Sequence, residues 1–245
     1  MDSHLGAGQQ SAAACRCEWG ERGLEALAPA DVVVVVDVLS FSTCVDVAAA
    51  RGAKLLPFAW RSAAAEEFAR AQNAELAGAR GAARYSLSPA SFAEAPRGLR
   101  CVLPSPNGAA LSLRAARRAS VVLAGCLRNA SAVARFAARA GYTFNVIAAG
   151  ERWPDDTLRP ALEDWLGAGA ILRRLPGAKS PEAEAAIATF EAMRAELPAA
   201  IAASSSGREL IARGFPQDVA LAAAFDASPR VPRLVGPAFV TEGAA

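Results

Sequence analysis

The chain has 245 residues, of which 53% are hydrophobic and 20% charged, so it can form one large globular domain or two closely fused halves. With 26 Lys and Arg against 24 Asp and Glu, its formal net charge of +2 gives no long-range field that would attract nucleic acid. The longest strongly apolar run, Val32–Val36, is much shorter than the ~20 residues that span a bilayer. We therefore expect neither a nucleic-acid nor a membrane partner.

Residues 1–14 are small and polar, and we predict a flexible leader there, followed by a single domain over residues 15–245. The leader lacks the basic start and apolar core of a secretory signal, so the cytoplasm is the expected location. Its His4 is the chain's one histidine, which excludes a Ser-His-Asp or Cys-His nucleophile. The five cysteines, an odd number, argue against a disulfide framework.

Strands and helices alternate over the first 150 residues. The run between Asp31 and Asp37 contains only valine, as is typical of a parallel strand buried on both faces. Ser62 is a predicted N-cap for the helix that follows it. We predict strands over residues 31–37, 54–58, 75–79, 100–103, 120–124 and 142–148, and helices over residues 41–50, 62–73, 109–118 and 127–140.

The chain from Pro160 onward is predicted to be mostly helical. Helices are expected over residues 160–174, 181–195, 197–203, 205–213 and 216–225, and short strands over residues 233–235 and 238–240. This order of elements predicts a three-layer α/β/α fold with a mostly parallel sheet and a helical C-terminal third. The stretches 31–80 and 100–150 are candidates for two structurally similar halves.

The residues with chemical potential follow the predicted strands, and ligands of open α/β sheets bind beyond the carboxyl ends of the strands. Free amides at helix N-termini and arginine guanidinium groups both bind anions, while grouped carboxylates favour Mg²⁺. The pattern predicts a site for a small phosphorylated acid. Its residues are the carboxylates Asp37, Glu151, Glu163 and Asp164, the arginines Arg128 and Arg152, and the small donors Ser40, Ser42, Thr43, Ser105, Asn107, Gly108 and Asn129.

Several familiar chemistries are excluded by single positions. No Walker, Rossmann or kinase motif is present. A phosphoaspartate phosphatase of the haloacid dehalogenase kind needs a second aspartate two residues after Asp37, where this chain has Leu39. A cysteine phosphatase needs an arginine six residues after its cysteine, and six residues after Cys126 this chain has Ala132. Metal-assisted attack by water, or an unfamiliar nucleophile, remains. Each candidate also has an ordinary structural reading: helix caps for Asp37 and the hydroxyl residues, a turn for Asn107 and Gly108, and surface exposure for Arg128.

The order of these loops resembles the 2-phosphosulfolactate phosphatase family over about residues 15–240. The segments that carry the resemblance are Asp37-Val-Leu-Ser-Phe-Ser-Thr43, Arg51-Gly-Ala53, Ser105-Pro-Asn-Gly108, Gly125-Cys-Leu-Arg-Asn-Ala130, Ala149-Gly-Glu-Arg152, Leu162-Glu-Asp-Trp-Leu-Gly-Ala-Gly-Ala170, Ser206-Gly-Arg-Glu-Leu210 and Gly214-Phe-Pro-Gln-Asp-Val219. The resemblance implies Mg²⁺-dependent hydrolysis of 2-phospho-3-sulfolactate to 3-sulfolactate, a step toward coenzyme M. Many members have an arginine in place of Ser40, so the substrate's acid groups are read differently here or the substrate differs.

The resemblance and the residues together give a working assignment. Asp37 is the expected metal ligand with Glu163 or Asp164, because adjacent helical residues point roughly 100° apart and cannot both face one ion. The expected catalytic residues are Asp37, Arg128, Glu151 and Asp164. The expected substrate-binding residues are Ser40, Ser42, Thr43, Ser105, Asn107, Gly108, Asn129 and Arg152. A non-catalytic anion-binding protein and a phosphatase for another metabolite stay open as alternatives, as does a homodimer.

Overall fold

The computed structural model describes residues 7–242, and its elements follow the alternating order expected from the sequence. The strands are β1 (Cys15–Trp19), β2 (Val32–Val36), β3 (Lys54–Phe58), β4 (Glu75–Leu76), β5 (Arg100–Pro104), β6 (Val121–Gly125), β7 (Phe144–Ala148), β8 (Glu151–Arg152), β9 (Leu158–Arg159), β10 (Val231–Val235) and β11 (Ala238–Glu242). The α-helices are α1 (Gly20–Ala26), α2 (Phe41–Ala50), α3 (Ala63–Ala71), α4 (Gly108–Ala115), α5 (Ala130–Ala140), α6 (Leu162–Leu172), α7 (Pro181–Met193), α8 (Leu197–Ala203), α9 (Ser205–Ala212) and α10 (Pro216–Ala223).

The main sheet has the strand order β1-β7-β2-β6-β10-β11-β3-β5-β4. The strands β1, β7, β2 and β6 form one parallel group, and β3, β5 and β4 form a second. The antiparallel hairpin β10–β11 lies between the two groups and pairs with both. The predicted α/β fold with a mostly parallel sheet is therefore confirmed, and each parallel group takes strands from both of the stretches 31–80 and 100–150.

The all-valine strand β2 shows why the sheet has helices on both faces. Val32, Val34 and Val36 belong to the core cluster that contains residues of α5, α6 and α7. Val33 and Val35 belong to a different cluster, with Leu24 of α1 and Leu111 of α4. Because successive side chains point to opposite faces of a strand, an uninterrupted apolar run is buried only when both faces are covered.

The sheet places the carboxyl ends of its two parallel groups next to each other. Three consecutive pairings, β6–β10, β10–β11 and β11–β3, are antiparallel, so the strands of the two groups would run in opposite directions if the sheet were flat. Strand twist of about 20–25° per pair accumulates to roughly 100–125° over the five pairings between β2 and β5. The amide of Gly108, after β5, reaches Asp37 Oδ2, after β2, at 2.9 Å. This junction of the two groups is where the candidate site lies.

The structure adds elements at the N-terminus and in the loop after β7 that the sequence pattern did not predict. β1 and α1 precede Asp31, and β8 pairs with β9 within the loop that follows Gly150. Of the predicted leader, residues 1–6 with His4 lie outside the described residues, whereas Gln10 donates from its side chain to the carbonyl of Cys17 at 3.0 Å. Within residues 7–242, no helix combines the length and apolar character needed to cross a membrane.

The predicted boundaries elsewhere agree with the structure to within a few residues. The expected N-cap is confirmed, since the Ser62 hydroxyl accepts from the amide of Ala65. The predicted helix over residues 127–140 begins with a short 3-10 turn, Leu127–Asn129, before α5. The C-terminal third is helical through α6 to α10, as expected, and ends in the β10–β11 hairpin.

Candidate active site

A cavity of about 460 Å³ opens at the junction of the two parallel groups. Five of the residues selected from the sequence line it: Asp37, Ser40, Ser105, Asn107 and Glu151. They come from the loops that follow β2, β5 and β7, as the rule for open α/β sheets predicts. The cavity is large enough for a small organic phosphate.

Asp37 is held by backbone amides at the end of β2. Its Oδ1 accepts from the amide of Phe41 at 3.0 Å and its Oδ2 from the amide of Gly108 at 2.9 Å. A Cβ atom at position 108 would lie 2.6 Å from Asp37 Oδ2, so only glycine allows this approach. Burial raises the pKa of Asp37 to about 6, although the two amides act in the opposite direction.

The adjacent residues Glu163 and Asp164, in the first turn of α6, have opposite environments. Asp164 accepts from the amide of Val38 at 2.7 Å and from that of Gly150 at 2.8 Å, and so connects the loops after β2 and β7. Glu163 is only 1% exposed, yet within the part of the chain that the structure describes its Oε2 has no hydrogen-bond partner. Asp164 is thus held by two backbone amides, whereas one oxygen of Glu163 has no such contact.

Glu151 begins β8 and lines the cavity beside Asp37. Its Oε2 accepts from Asn107 Nδ2 at 2.9 Å, and Asn107 Oδ1 in turn accepts from Arg152 Nε at 3.2 Å. Burial raises the pKa of Glu151 to about 7, and the negative charges of Asp37 and Glu163 add to the increase. A carboxyl group with such a pKa exchanges protons readily near neutral pH.

The four carboxylates form an acidic cluster, namely Asp37, Glu151, Glu163 and Asp164. Burial raises the pKa of Asp164 well above its usual range, and the charges of Asp37 and Glu163 raise it further. Over residues 7–242, no three Asp, Glu, His or Cys side chains form a ready-made metal cage. Mg²⁺ is commonly held by one or two carboxylates together with waters and substrate phosphate, so the unpartnered Glu163 oxygen beside Asp37 fits such an ion.

Ser40 and Arg80 connect the cavity to the C-terminal helices. Arg80 donates to the hydroxyl of Ser40 at 3.2 Å and to the carbonyl of Leu87, and it forms an ion pair with the fully buried Asp218 of α10. The Ser40 oxygen accepts this hydrogen bond from Arg80, so the hydroxyl hydrogen of Ser40 stays available for donation to a ligand in the cavity. Arg80 thus fixes the hydroxyl at the cavity wall.

Four of the selected residues point away from the cavity into the protein. Ser42 and Thr43 donate from their hydroxyls to the carbonyls of Val35 and Val38, and the Asn129 side chain caps the turn that precedes α5. Arg128 forms a 2.8 Å ion pair with the buried Asp46 of α2 and donates to the carbonyl of Leu221 in α10. These contacts stabilise the loops after β2 and β6, and none of the four residues lines the cavity.

Arg152 lies on the far side of Asn107. Besides Asn107, it contacts the carbonyl of Pro106 at 3.1 Å and the carboxylate of Asp156 at 2.9 Å. It lines a second cavity of about 320 Å³, which shares Pro106, Asn107 and Glu151 with the first. Its position makes Arg152 a support for the Asn107 amide and not a direct ligand of the main cavity.

The sequence reasoning missed the charged residues on the other side of the cavity. Arg61 precedes α3, Arg80 follows β4, Glu209 lies within α9, and Arg213 is the C-cap of α9; all four line the cavity. The only sequence signal was the segment Ser206-Gly-Arg-Glu-Leu210, which contributed to the family resemblance without a chemical role. Ser206 of that segment also lines the cavity.

The fold and the site define a three-layer α/β protein whose cavity is lined by both carboxylates and arginines. A model of the 2-phosphosulpholactate phosphatase family matches residues 21–237, which is most of the chain. The chain therefore belongs to this family.

One curated relative supports the same assignment. The chain is 31% identical over 148 residues to a protein of Gloeobacter violaceus named "Probable 2-phosphosulfolactate phosphatase". The matched region spans 60% of this chain and 61% of the relative. The match thus covers less than two thirds of the relative's length.

Proposed function

We propose that this protein is a Mg²⁺-dependent phosphoric monoester hydrolase whose substrate is 2-phospho-3-sulfolactate, with 3-sulfolactate and phosphate as products. The proposal rests on family membership, on the name of the relative, and above all on one feature of the site. That feature is the unpartnered, buried Glu163 oxygen within a cluster of four carboxylates, two of which, Asp37 and Glu151, line an anion-sized cavity.

The acidic cluster favours a metal-dependent enzyme over a simple anion-binding protein. Four carboxylates repel a phosphate group unless a cation lies between them and the phosphate. A protein that only bound small anions would have no use for such a cluster at its binding cavity. Asp37 and Glu163 would hold the ion, which when bound polarises the phosphate and offsets the negative charge.

The remaining residues bind and orient the reactants. The hydroxyl groups of Ser40 and Ser105 line the cavity and can donate to phosphate oxygens. Glu151 can hold the attacking water and accept its proton, since its pKa of about 7 allows it to be ionised at neutral pH. The Arg152–Asn107–Glu151 chain of hydrogen bonds orients this carboxylate. Water then forms the new P–O bond, the bond to the alkoxide breaks, and the alkoxide takes a proton from solvent.

The proposed roles of the buried polar residues are structural. Asp164 fixes the loops after β2 and β7, and Arg128 neutralises Asp46 beneath the site. As part of the same proposal, the reaction is a step toward coenzyme M and takes place in the cytoplasm.

The test is phosphate release by the purified chain from 2-phospho-3-sulfolactate and from an aryl phosphate, each with Mg²⁺ and with EDTA. We expect release with Mg²⁺ and little with EDTA. No metal-dependent release from either ester would refute the reaction class, and release from the aryl phosphate alone would refute the substrate. Mg²⁺ binding measured by calorimetry without substrate, in the wild type and Glu163→Gln, tests the metal site independently of turnover.

A further inference from the structure

The main cavity is lined by arginines as well as by carboxylates. Arg61, Arg80 and Arg213 line it, and they come from three separate segments: the loop before α3, the loop after β4 and the end of α9. Asp37, Asn107 and Glu151 belong to the loops after β2, β5 and β7. A ligand in this cavity therefore meets both carboxylates and arginines.

Only two of the three arginines are available to a ligand. Arg80 is engaged by Asp218, by the carbonyl of Leu87 and by Ser40. Arg61 and Arg213 are exposed, and among residues 7–242 neither guanidinium has a hydrogen bond or an ion pair. Free guanidinium groups at a cavity wall offer several donors in one plane, which matches the geometry of carboxylate and other oxyanions.

The neighbouring ion pair explains why Arg213 makes no hydrogen bond to Glu209, although the charge of Arg213 helps to lower the pKa of that carboxylate. Glu209 lies four residues earlier on the same helical segment, where it would ordinarily pair with Arg213. Both carboxylate oxygens of Glu209 are instead bonded by Arg159, at 2.7 Å to Nη1 and 3.1 Å to Nη2. Arg159 lies directly opposite Glu151 in the β8–β9 ribbon, so its backbone position is fixed by strand pairing.

We propose that Arg61 and Arg213 determine substrate specificity by binding the acid groups that the substrate carries in addition to its phosphate. This inference rests on the proposed function, whose substrate carries two acid groups besides its phosphate, and it assigns the recognition of those two groups to Arg61 and Arg213. Asp37 and Glu151 line the same cavity and repel those groups, so a bound polyanion is expected to turn its acid groups toward the arginines and its phosphoester toward Asp37.

The experiment compares three esters that carry two, one and no further acid groups: 2-phospho-3-sulfolactate, 2-phospholactate and an aryl phosphate. Each is assayed with the wild type, Arg61→Gln, Arg213→Gln and Arg139→Gln, the last a matched control on the exposed end of α5. We expect each of the two cavity variants to lower kcat/KM about 10- to 100-fold for the first ester, less for the second and under about twofold for the third. The control should change none of them.

The same factor of loss on all three esters, or no loss on any, would overturn the inference. If the wild type hydrolyses none of the esters, the proposed function fails, and the arginines are then tested by calorimetric titration with 3-sulfolactate. A higher Kd in Arg61→Gln and Arg213→Gln than in Arg139→Gln supports their role, and equal affinities refute it. Thermal melts of the four proteins verify that the exposed substitutions leave the fold intact.

Discussion

Strand β2 has an aspartate just beyond each end, and the two carboxylates differ although they make similar hydrogen bonds. Asp31, before the strand, accepts from the amides of Tyr142 and Thr143 at 2.8 and 2.9 Å; Asp37, after it, accepts from those of Phe41 and Gly108. The amides lower the pKa of the exposed Asp31, whereas burial raises that of Asp37 to about 6. Burial, and not the number of hydrogen bonds, decides the direction of the shift.

The comparison separates a structural end of the strand from a functional one. An exposed carboxylate that accepts amides stabilises a turn and stays ionised. A buried one beside three other carboxylates is held in an unfavourable state by the rest of the fold, which is the usual condition of a catalytic or metal-binding group. Five substitutions test this difference, and their expected effects decrease from Asp37→Asn to Asp31→Asn.

Asp37→Asn should lower kcat/KM for the aryl phosphate at least about 100-fold. Mutation of a residue that only hydrogen-bonds to a metal ligand typically lowers metal affinity or activity about 10- to 100-fold, and Asp37 is a proposed ligand itself. Steady-state phosphate release at saturating Mg²⁺ measures the effect, with circular dichroism to verify folding. Activity within a few-fold of the wild type would contradict the assignment of Asp37.

Although the two residues are neighbours, Asp164→Ala should mainly lower stability, whereas Glu163→Gln should mainly weaken Mg²⁺ binding. Asp164→Ala leaves two buried amides, those of Val38 and Gly150, without acceptors, at a cost of about 2–5 kcal/mol of unfolding free energy. Glu163→Gln removes no hydrogen bond and should change stability by less than about 1 kcal/mol while it weakens Mg²⁺ binding. Urea unfolding and Mg²⁺ calorimetry on both variants measure this; equal losses of stability would remove the distinction between them.

The metal-free protein should be less stable at pH 8 than at pH 5. The folded-state pKa values of Asp37 and Glu151, about 6 and about 7, are raised, so their contribution to stability is fully present below pH ~4 and is lost as the pH rises through those values. Thermal melts in EDTA between pH 5 and 8 measure the slope. Glu151→Gln should flatten it, and identical slopes for the two proteins would show that Glu151 does not titrate in this range.

Asp31→Asn should have the smallest effect, about 1 kcal/mol of unfolding free energy at pH 7 and none on kcat/KM. The pKa of Asp31 is lowered in the folded state, so its contribution is present above its unfolded pKa and is lost as the pH falls through the folded value. The stability difference from the wild type should therefore shrink in acid. Glu66→Gln, exposed on α3, is the matched control; a loss of activity in Asp31→Asn would contradict the structural role.

Local sequence patterns were sufficient to predict strand β2, the strands next to it in the sheet and part of the candidate site. The valine run fixes β2 because only a strand covered on both faces buries it, and the rule for carboxyl ends places Asp37, Asn107 and Glu151 at one cavity. The weakest predictions concerned side-chain direction. Ser42 and Thr43 bond to backbone carbonyls nearby, a local choice that hydroxyl residues make irrespective of any ligand.

Long-range partners were beyond the sequence. Arg128 turns away from the cavity because Asp46, 82 positions earlier, is buried beneath it, and no local signal distinguishes that aspartate from a surface one. Arg61 and Arg213 are two of 26 basic residues in the chain, and only the assembled sheet shows that they share a cavity with Asp37. The edge strand β1 is short and alternates cysteine with charged residues, so its apolar pattern is weak.

The position of the β10–β11 hairpin has a consequence for biosynthesis. Residues 231–242 pair with both parallel groups in the centre of the sheet, although a ribosome makes them more than 80 residues after β7. Until they emerge, β6 and β3 each have an open edge, which is the kind of surface that nascent chains use to aggregate. The cavity between the groups is therefore completed late in translation, and chaperones that cover strand edges should matter more for this chain than for one whose sheet grows outward from its first strands.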